Sequence, residues 1–237
     1  MRLKRTLLTS LLAIPALLIT NSANATPVSG QANIAGNVTV QDGTIAFAPT
    51  FTNTAGAAET GDFAGLTGGT IQALTGGPKT GTLATPLVGF INFTTGLATP
   101  ITFDLTYIAP GVGTQAGCLS AALGSECTPN GSPFTLFQLS SNTVIASLQL
   151  NGVSYTGTSG SGSSPTTAIF STQTAINGTL PDIYNLLVAG GAVSGVTYSA
   201  SFVATPGNPT TPEPASMMLM GIGLIGAGLA ARRRIRG

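Results

Sequence analysis

From residue 26 to about residue 205 the apolar positions recur every second residue, and no stretch sustains a 3.6-residue period. Val38 to Gln41, Asp42-Gly43 and Thr44 to Phe47 read as a two-residue hairpin, because Asp-Gly suits a type I′ turn. Pairing across that turn sets Val40 opposite Ile45 and Val38 opposite Phe47 on one face, with Thr39 opposite Ala46 on the other. Val144 to Leu150, Asn151-Gly152 and Val153 to Gly157 pass the same test. This second register places Leu150 against Val153 and Leu148 against Tyr155 on a dry face, with Gln149 against Ser154 and Ser147 against Thr156 on a wet one.

Further strands are predicted where the alternation continues. Ile101, Phe103, Leu105 and Tyr107 point inward in one, and Val196, Tyr198, Ala200 and Phe202 in another; Leu87 to Phe93, Phe134 to Leu139 and Thr167 to Ser171 are additional candidates. Ile183 to Ala189 is the single candidate for a short helix. Ala55 to Pro86 and Thr156 to Thr167, rich in Gly, Thr and Ser, read as long surface loops. Short strands separated by turn residues predict an all-β fold, an antiparallel β-sandwich of jelly-roll-like or Ig-like kind, with a barrel or solenoid as the alternative. No fixed repeat supports the solenoid.

Composition narrows the chemistry. Of 237 residues 43% are hydrophobic and 6% charged, and histidine and tryptophan are absent. Imidazole is therefore unavailable as base, acid or metal ligand, which excludes Ser-His-Asp and Cys-His catalysis. The net charge of +1 conceals a segregation: Arg2, Lys4 and Arg5 open the chain, Arg232, Arg233, Arg234 and Arg236 close it, and Lys79 is the one basic residue between them. The middle carries Asp42, Glu59, Asp62, Asp104, Glu126 and Asp182, an acidic balance that argues against nucleic-acid binding.

The basic ends flank greasy segments. Arg2, Lys4 and Arg5 precede an apolar run from Leu7 to Ile19, followed by Ala23-Asn24-Ala25, which reads as a signal peptide over 1–25 with cleavage after Ala25. At the other end Ala215 to Ala231 is 17 residues without a charge. As a helix this run is about 26 Å long, within the spanning range of a bilayer. The arginines after it place the tail 232–237 on the cytoplasmic side and the body outside.

A linker and motif, residues 206–214, ends in Pro212-Glu213-Pro214 immediately before the span. Prolines there discourage helix and leave the segment extended and open to a protease. Pro-Glu-Pro, a Gly- and Leu-rich span and a terminal arginine cluster resemble the PEP-CTERM sorting signal. The resemblance covers Pro212 to Gly237 and implies export in a Gram-negative bacterium that makes exopolysaccharide, with processing by an exosortase, a membrane enzyme that supplies its own cysteine. Pro212, Glu213 and Pro214 are then substrate determinants, Ala23 and Ala25 the signal-peptidase determinants, and the arginines a stop-transfer cluster. A permanent anchor is the competing reading of the same tail.

Cys118 and Cys127 are the two cysteines, and in an exported chain the pair predicts a disulfide. A metal site would need more thiolates or a histidine. Gly221, Gly223 and Gly226 match the dinucleotide-binding G-x-G-x-x-G, but they lie within the apolar span, with no strand before them and no acid about twenty residues on. Small residues packing a membrane helix explain them. Gly76 to Thr80 lacks phosphate-loop spacing. Glu59 with Asp62, or Asp104 with either of them, as a glycosidase pair, and Asp42, Glu59 or Asp62 as calcium ligands, sit in no signature. The sequons at Asn37, Asn92, Asn130 and Asn177 arise readily in a Thr-rich chain.

The sequence thus predicts a β-rich body over 26–205 that is exported, non-enzymatic and without cofactor or metal. Its destination is the cell surface or extracellular matrix, by way of signal peptidase, a membrane-anchored intermediate and an exosortase. A carbohydrate-binding module of the exopolysaccharide matrix is the alternative, with Tyr107, Tyr155, Tyr184 or Tyr198 as stacking rings. A glycan hydrolase using Glu59 or Asp62 is the third reading.

Overall fold

The computed structural model describes residues 26–74, 80–129, 132–157, 159, 162–173 and 176–206. The strands are β1 (Thr26–Pro27), β2 (Gly30–Gln41), β3 (Thr44–Phe47), β4 (Thr50–Asn53), β5 (Gly68–Ile71), β6 (Gly81–Thr95) and β7 (Ile101–Ile108). They continue with β8 (Glu126–Cys127), β9 (Thr135–Ser140), β10 (Thr143–Thr156), β11 (Ser164–Thr172), β12 (Ile176–Asn177) and β13 (Ala192–Ala204), and one helix, α1 (Leu180–Val188), precedes β13. All pairings are antiparallel. Following hydrogen bonds from β2 through β4, β5, β6, β7, β10, β11 and β13 leads back to β2.

The expected sandwich, jelly-roll-like or Ig-like, is therefore corrected to a closed antiparallel barrel. The strand that closes it is β10. Its 14 residues are long enough to pair with β9 and then β7 along one edge, and with β11 and β1 along the other. Closure removes the free edges that two separate sheets would expose.

The same strand overturns the second predicted hairpin. Asn151-Gly152 makes no turn: Asn151 pairs with Thr167 and Gly152 with Thr166 in an unbroken ladder. Glycine is required there by proximity, since a Cβ at 152 would lie 2.0 Å from the Asp104 carbonyl oxygen and 2.7 Å from the Phe103 ring. The hairpin that leads into β10 turns instead at Ser141-Asn142, between β9 and β10. By contrast the Asp42-Gly43 hairpin forms in the expected register, Val38 to Phe47, Thr39 to Ala46 and Val40 to Ile45. Its turn is not type I′, which needs two positive φ values; Gly43 has φ 64° and no described non-glycine residue is positive.

Both predicted long loops are shorter than expected. The stretch 55–86 contains a 3-10 turn at Gly61–Phe63, strand β5 and the start of β6, while β11 begins at Ser164. Glycine content suggested a loop, yet Gly69 serves close strand packing: a Cβ there would meet the Asn92 carbonyl oxygen at 2.0 Å. The helix occurs close to its expected place. Its first turn is capped by Thr179, whose hydroxyl accepts from the Asp182 amide while the Asp182 carboxylate accepts from the Thr179 amide, and Pro181 sits in the first turn where its missing N–H costs nothing.

Inward positions fill the barrel with aromatic rings. Phe93 meets Phe51, Phe63 and Phe202 edge-to-face, Phe103 and Phe170 also pack on Phe202, and Phe47 packs on Phe90, Phe170 and Tyr198. Along β7 the expected inward residues Ile101, Phe103 and Leu105 are buried, but Tyr107 is half-exposed and Ile108 is buried in its place. The β6–β7 register shifts on either side of Leu87, so a strict period of two fails there. The interior is apolar, and the outer wall mixes Thr, Ser, Asn and Gln with exposed aliphatic residues such as Ile169 and Val203. Among the described residues no helix is long and apolar enough to cross a membrane; the predicted signal helix (1–25) and the span 215–231 lie outside them.

Candidate functional site

Strand direction divides the barrel into two rims. One rim carries the segment 54–67, the turn 96–100, the end of β10 with the start of β11, and both ends of the described chain, because β2 begins where β13 finishes and Gly30 pairs with Ala204. The opposite rim carries the β2–β3 turn, the disulfide loop and α1.

At the first rim the N-terminal residues are built into the wall. Thr26 pairs with Thr156 and Pro27 with Tyr155, continuing the edge of β10 beyond its last pair with β11. Val28 is fully buried and its amide donates to Ser164 Oγ at 2.8 Å. The Ser29 amide and hydroxyl both donate to Asp62 Oδ2, at 2.7 and 3.2 Å. A recess of ≈ 300 Å³ opens here, with Thr26, Asp62, Leu97 and Thr156 among its walls. Glu59, in the same segment as Asp62, has a buried Oε1 without a hydrogen-bond partner.

The wall holds one buried carboxylate. Alternation along β7 puts Asp104 on the outer side, yet it is 3% exposed. Its Oδ1 accepts from the Gly89 amide at 2.8 Å, and the Tyr155 hydroxyl donates to both carboxylate oxygens at 3.1 Å. Gly89 is held from its other side too, as its carbonyl accepts from Gln72 and Asn92. This network fixes the bulge of β6 whose tip exposes Leu87 and Val88. Burial, with the Asp104 charge second, raises the Tyr155 hydroxyl above its ordinary pKa. Tyr155 itself pairs with Thr102, so its ring lies on the outer side of the wall and not against Leu148 as expected.

The other candidate residues fall far apart. Asp42 sits at the opposite rim, where its Oδ1 accepts from the Ser132 hydroxyl. Asp42, Glu59 and Asp62 are therefore not brought together as a calcium site, and no group of three metal-ligating side chains occurs among the described residues. Both oxygens of Asp104 are committed to the hydrogen bonds above, whereas Asp62 accepts from Ser29 through Oδ2. Of the tyrosines, Tyr198 and Tyr155 are buried, and Tyr184 is bonded by the Gln115 amide beside the disulfide loop. Cys118 and Cys127 form the expected disulfide, with Cα atoms 5.1 Å apart and both residues fully buried. Sequence reading missed the Asp104–Tyr155 pair, because a period of two assigned the two side chains to opposite sides of the sheet. Ala23, Ala25, Pro212, Glu213, Pro214, Arg232, Arg233, Arg234 and Arg236 lie outside the described residues.

The described residues thus define an antiparallel barrel with a filled aromatic core, both described ends at one rim, and a buried Asp104–Tyr155 pair within the wall. Appended to it, residues 210–234 match the PEP-CTERM protein-sorting motif. This motif marks an exported bacterial protein directed to an exosortase and sorted to the cell surface. No curated protein and no solved structure matches the chain.

Proposed function

We propose that the protein is a non-enzymatic component of the cell surface or extracellular matrix. In this reading the barrel is the cargo and the two termini are its address. The observation that carries it is the sorting motif at 210–234, joined to a barrel whose last ladder residue, Ala204, precedes Pro212 by a short proline-containing stretch. The signal peptide delivers the chain, the span over 215–231 holds it with its arginines in the cytoplasm, and cutting near Pro212-Glu213-Pro214 removes the tail. Mass spectrometry of the mature C-terminus in exosortase-competent cells tests this. A terminus near Pro212 is the expected result, and a peptide ending in Arg236-Gly237 identifies a permanent anchor instead.

A second reading, attachment to a neutral glycan of the matrix, is favoured by the wall of β2, β13, β11 and β10. Its outward rows present Asn33, Asn37, Ser199, Ser201, Thr167 and Gln149 among small and aliphatic side chains, with no charged residue. Hydroxyl and amide groups match the hydrogen-bonding of an uncharged polyol, whereas an acidic polymer would find no cation there. Pull-down of the mature protein on neutral and on acidic polysaccharide tests the reading; equal retention on neither removes it.

A further inference from the structure

The rim that holds both described ends is electrically incomplete. Glu59 and Asp62 stand on it, and no lysine or arginine occurs among the described residues. Thr26, the residue that follows the predicted signal cleavage, lines the same recess as Asp62. Asp62 is held toward the N-terminal segment by two hydrogen bonds from Ser29, both to Oδ2, so that Oδ1 keeps acceptor capacity.

We propose that this recess is a binding site for the chain's own processed N-terminus, in which the α-ammonium of Thr26 pairs with the Asp62 carboxylate. The inference rests on the reading of cleavage after Ala25. Before cleavage the Thr26 nitrogen is a neutral amide. Hydrolysis of the 25–26 bond adds one water: the acyl carbon leaves as the Ala25 carboxylate, and the freed amine takes up a proton. The only positive charge created by export is thus generated at the edge of β1, where the ladder to Tyr155 and Thr156 and the buried Val28 already hold the backbone in place. The remaining described wall residues, Pro27, Ala64, residues 97–99, Ile101 and Thr156, carry no titratable group. Glu59 is the one further carboxylate in the 54–67 segment beside Asp62, and its charge acts in the same direction.

The pairing also gives an order of events. Pairing of β1 begins at the first residue after the scissile bond, so a peptidase that binds extended chain on both sides of that bond acts before β1 docks. Docking and ion pairing then follow together.

The test uses the mature protein isolated from secreting cells. Mass spectrometry first reads its N-terminal residue, and competitive acetylation across pH then titrates the α-amine, with Lys79 as internal reference. The expected midpoint lies about half a unit above the usual ~7.7–8.0 of a free α-amine. Asp62→Asn, whose amide oxygen still accepts from Ser29, returns the midpoint to the usual range; Asp62→Glu keeps it raised, and Asp42→Asn at the other rim leaves it unchanged. Equal midpoints in the parent and Asp62→Asn proteins overturn the pairing while leaving cleavage intact. An N-terminus other than Thr26 overturns both the pairing and the cleavage reading, and the first measurement alone distinguishes that case.

Discussion

Tyr198 shows how one hydroxyl is accommodated in an aromatic core. Its ring is 2% exposed and packs on Phe47 and Phe170 at centroid distances of 5.3 and 5.5 Å, while its hydroxyl lies against Gly36 without a hydrogen-bond partner. An unpaired buried hydroxyl carries a desolvation cost of about 1–3 kcal/mol. Tyr198→Phe keeps the ring and removes the orphan, so it is expected to raise stability by about 1 kcal/mol, read as a higher denaturant midpoint with unchanged slope. The converse holds at Gly152. A methyl group there meets the Asp104 carbonyl, and Gly152→Ala is expected to destabilise by about 1–3 kcal/mol in the same assay. The two substitutions differ by one group each, and their opposite signs separate an unsatisfied donor from a lack of space.

At the scale of elements, the disulfide does the work that regular structure does elsewhere. The described residues of 109–134 carry only a 3-10 turn at Gln115–Leu119 and the two-residue β8, and Cys118–Cys127 ties these two pieces together. Cys118→Ala with Cys127→Ala is expected to cost about 2–3 kcal/mol on the chain-entropy account, checked by urea unfolding. The cysteine pairing was legible because an exported chain with two cysteines has one simple option. The hairpins divide more instructively. Asp-Gly and Asn-Gly are equivalent local signals, and both were flanked by matching apolar and polar rows, yet only the first turns. What decides the second is the neighbouring strand β7, whose approach to Gly152 is a long-range fact that no local window contains. The same limit hid barrel closure: strand content and antiparallel order follow from alternation, whereas whether β11 meets β10 to close the sheet depends on the length of β10. Of the candidate site, the sorting residues were readable from linear motif alone. The rim that joins Thr26 to Asp62 needed the fold.

The whole molecule has an unusual charge economy, and its stability against pH follows from it. The chain has no histidine, and no lysine or arginine is among the described residues. Burial raises Tyr198, and burial together with Asp104 raises Tyr155, so both favour the neutral form in the folded state. Stability from a raised group is fully present below the unfolded value, about 10 for tyrosine, and is lost as pH climbs through the folded value. On the acid side the Thr179 hydroxyl and amide lower Asp182; its contribution is present above the unfolded carboxylate range and is lost as pH falls through the folded value. Between these limits the Thr26 amine proposed to pair with Asp62 would titrate, giving a shallow decline near pH ~8. Thermal melts of the mature protein are therefore expected to be nearly flat from about pH 5 to about pH 9 and to fall at higher pH. Tyr198→Phe should flatten the alkaline fall and Asp62→Asn should erase the shallow decline, each without moving the other.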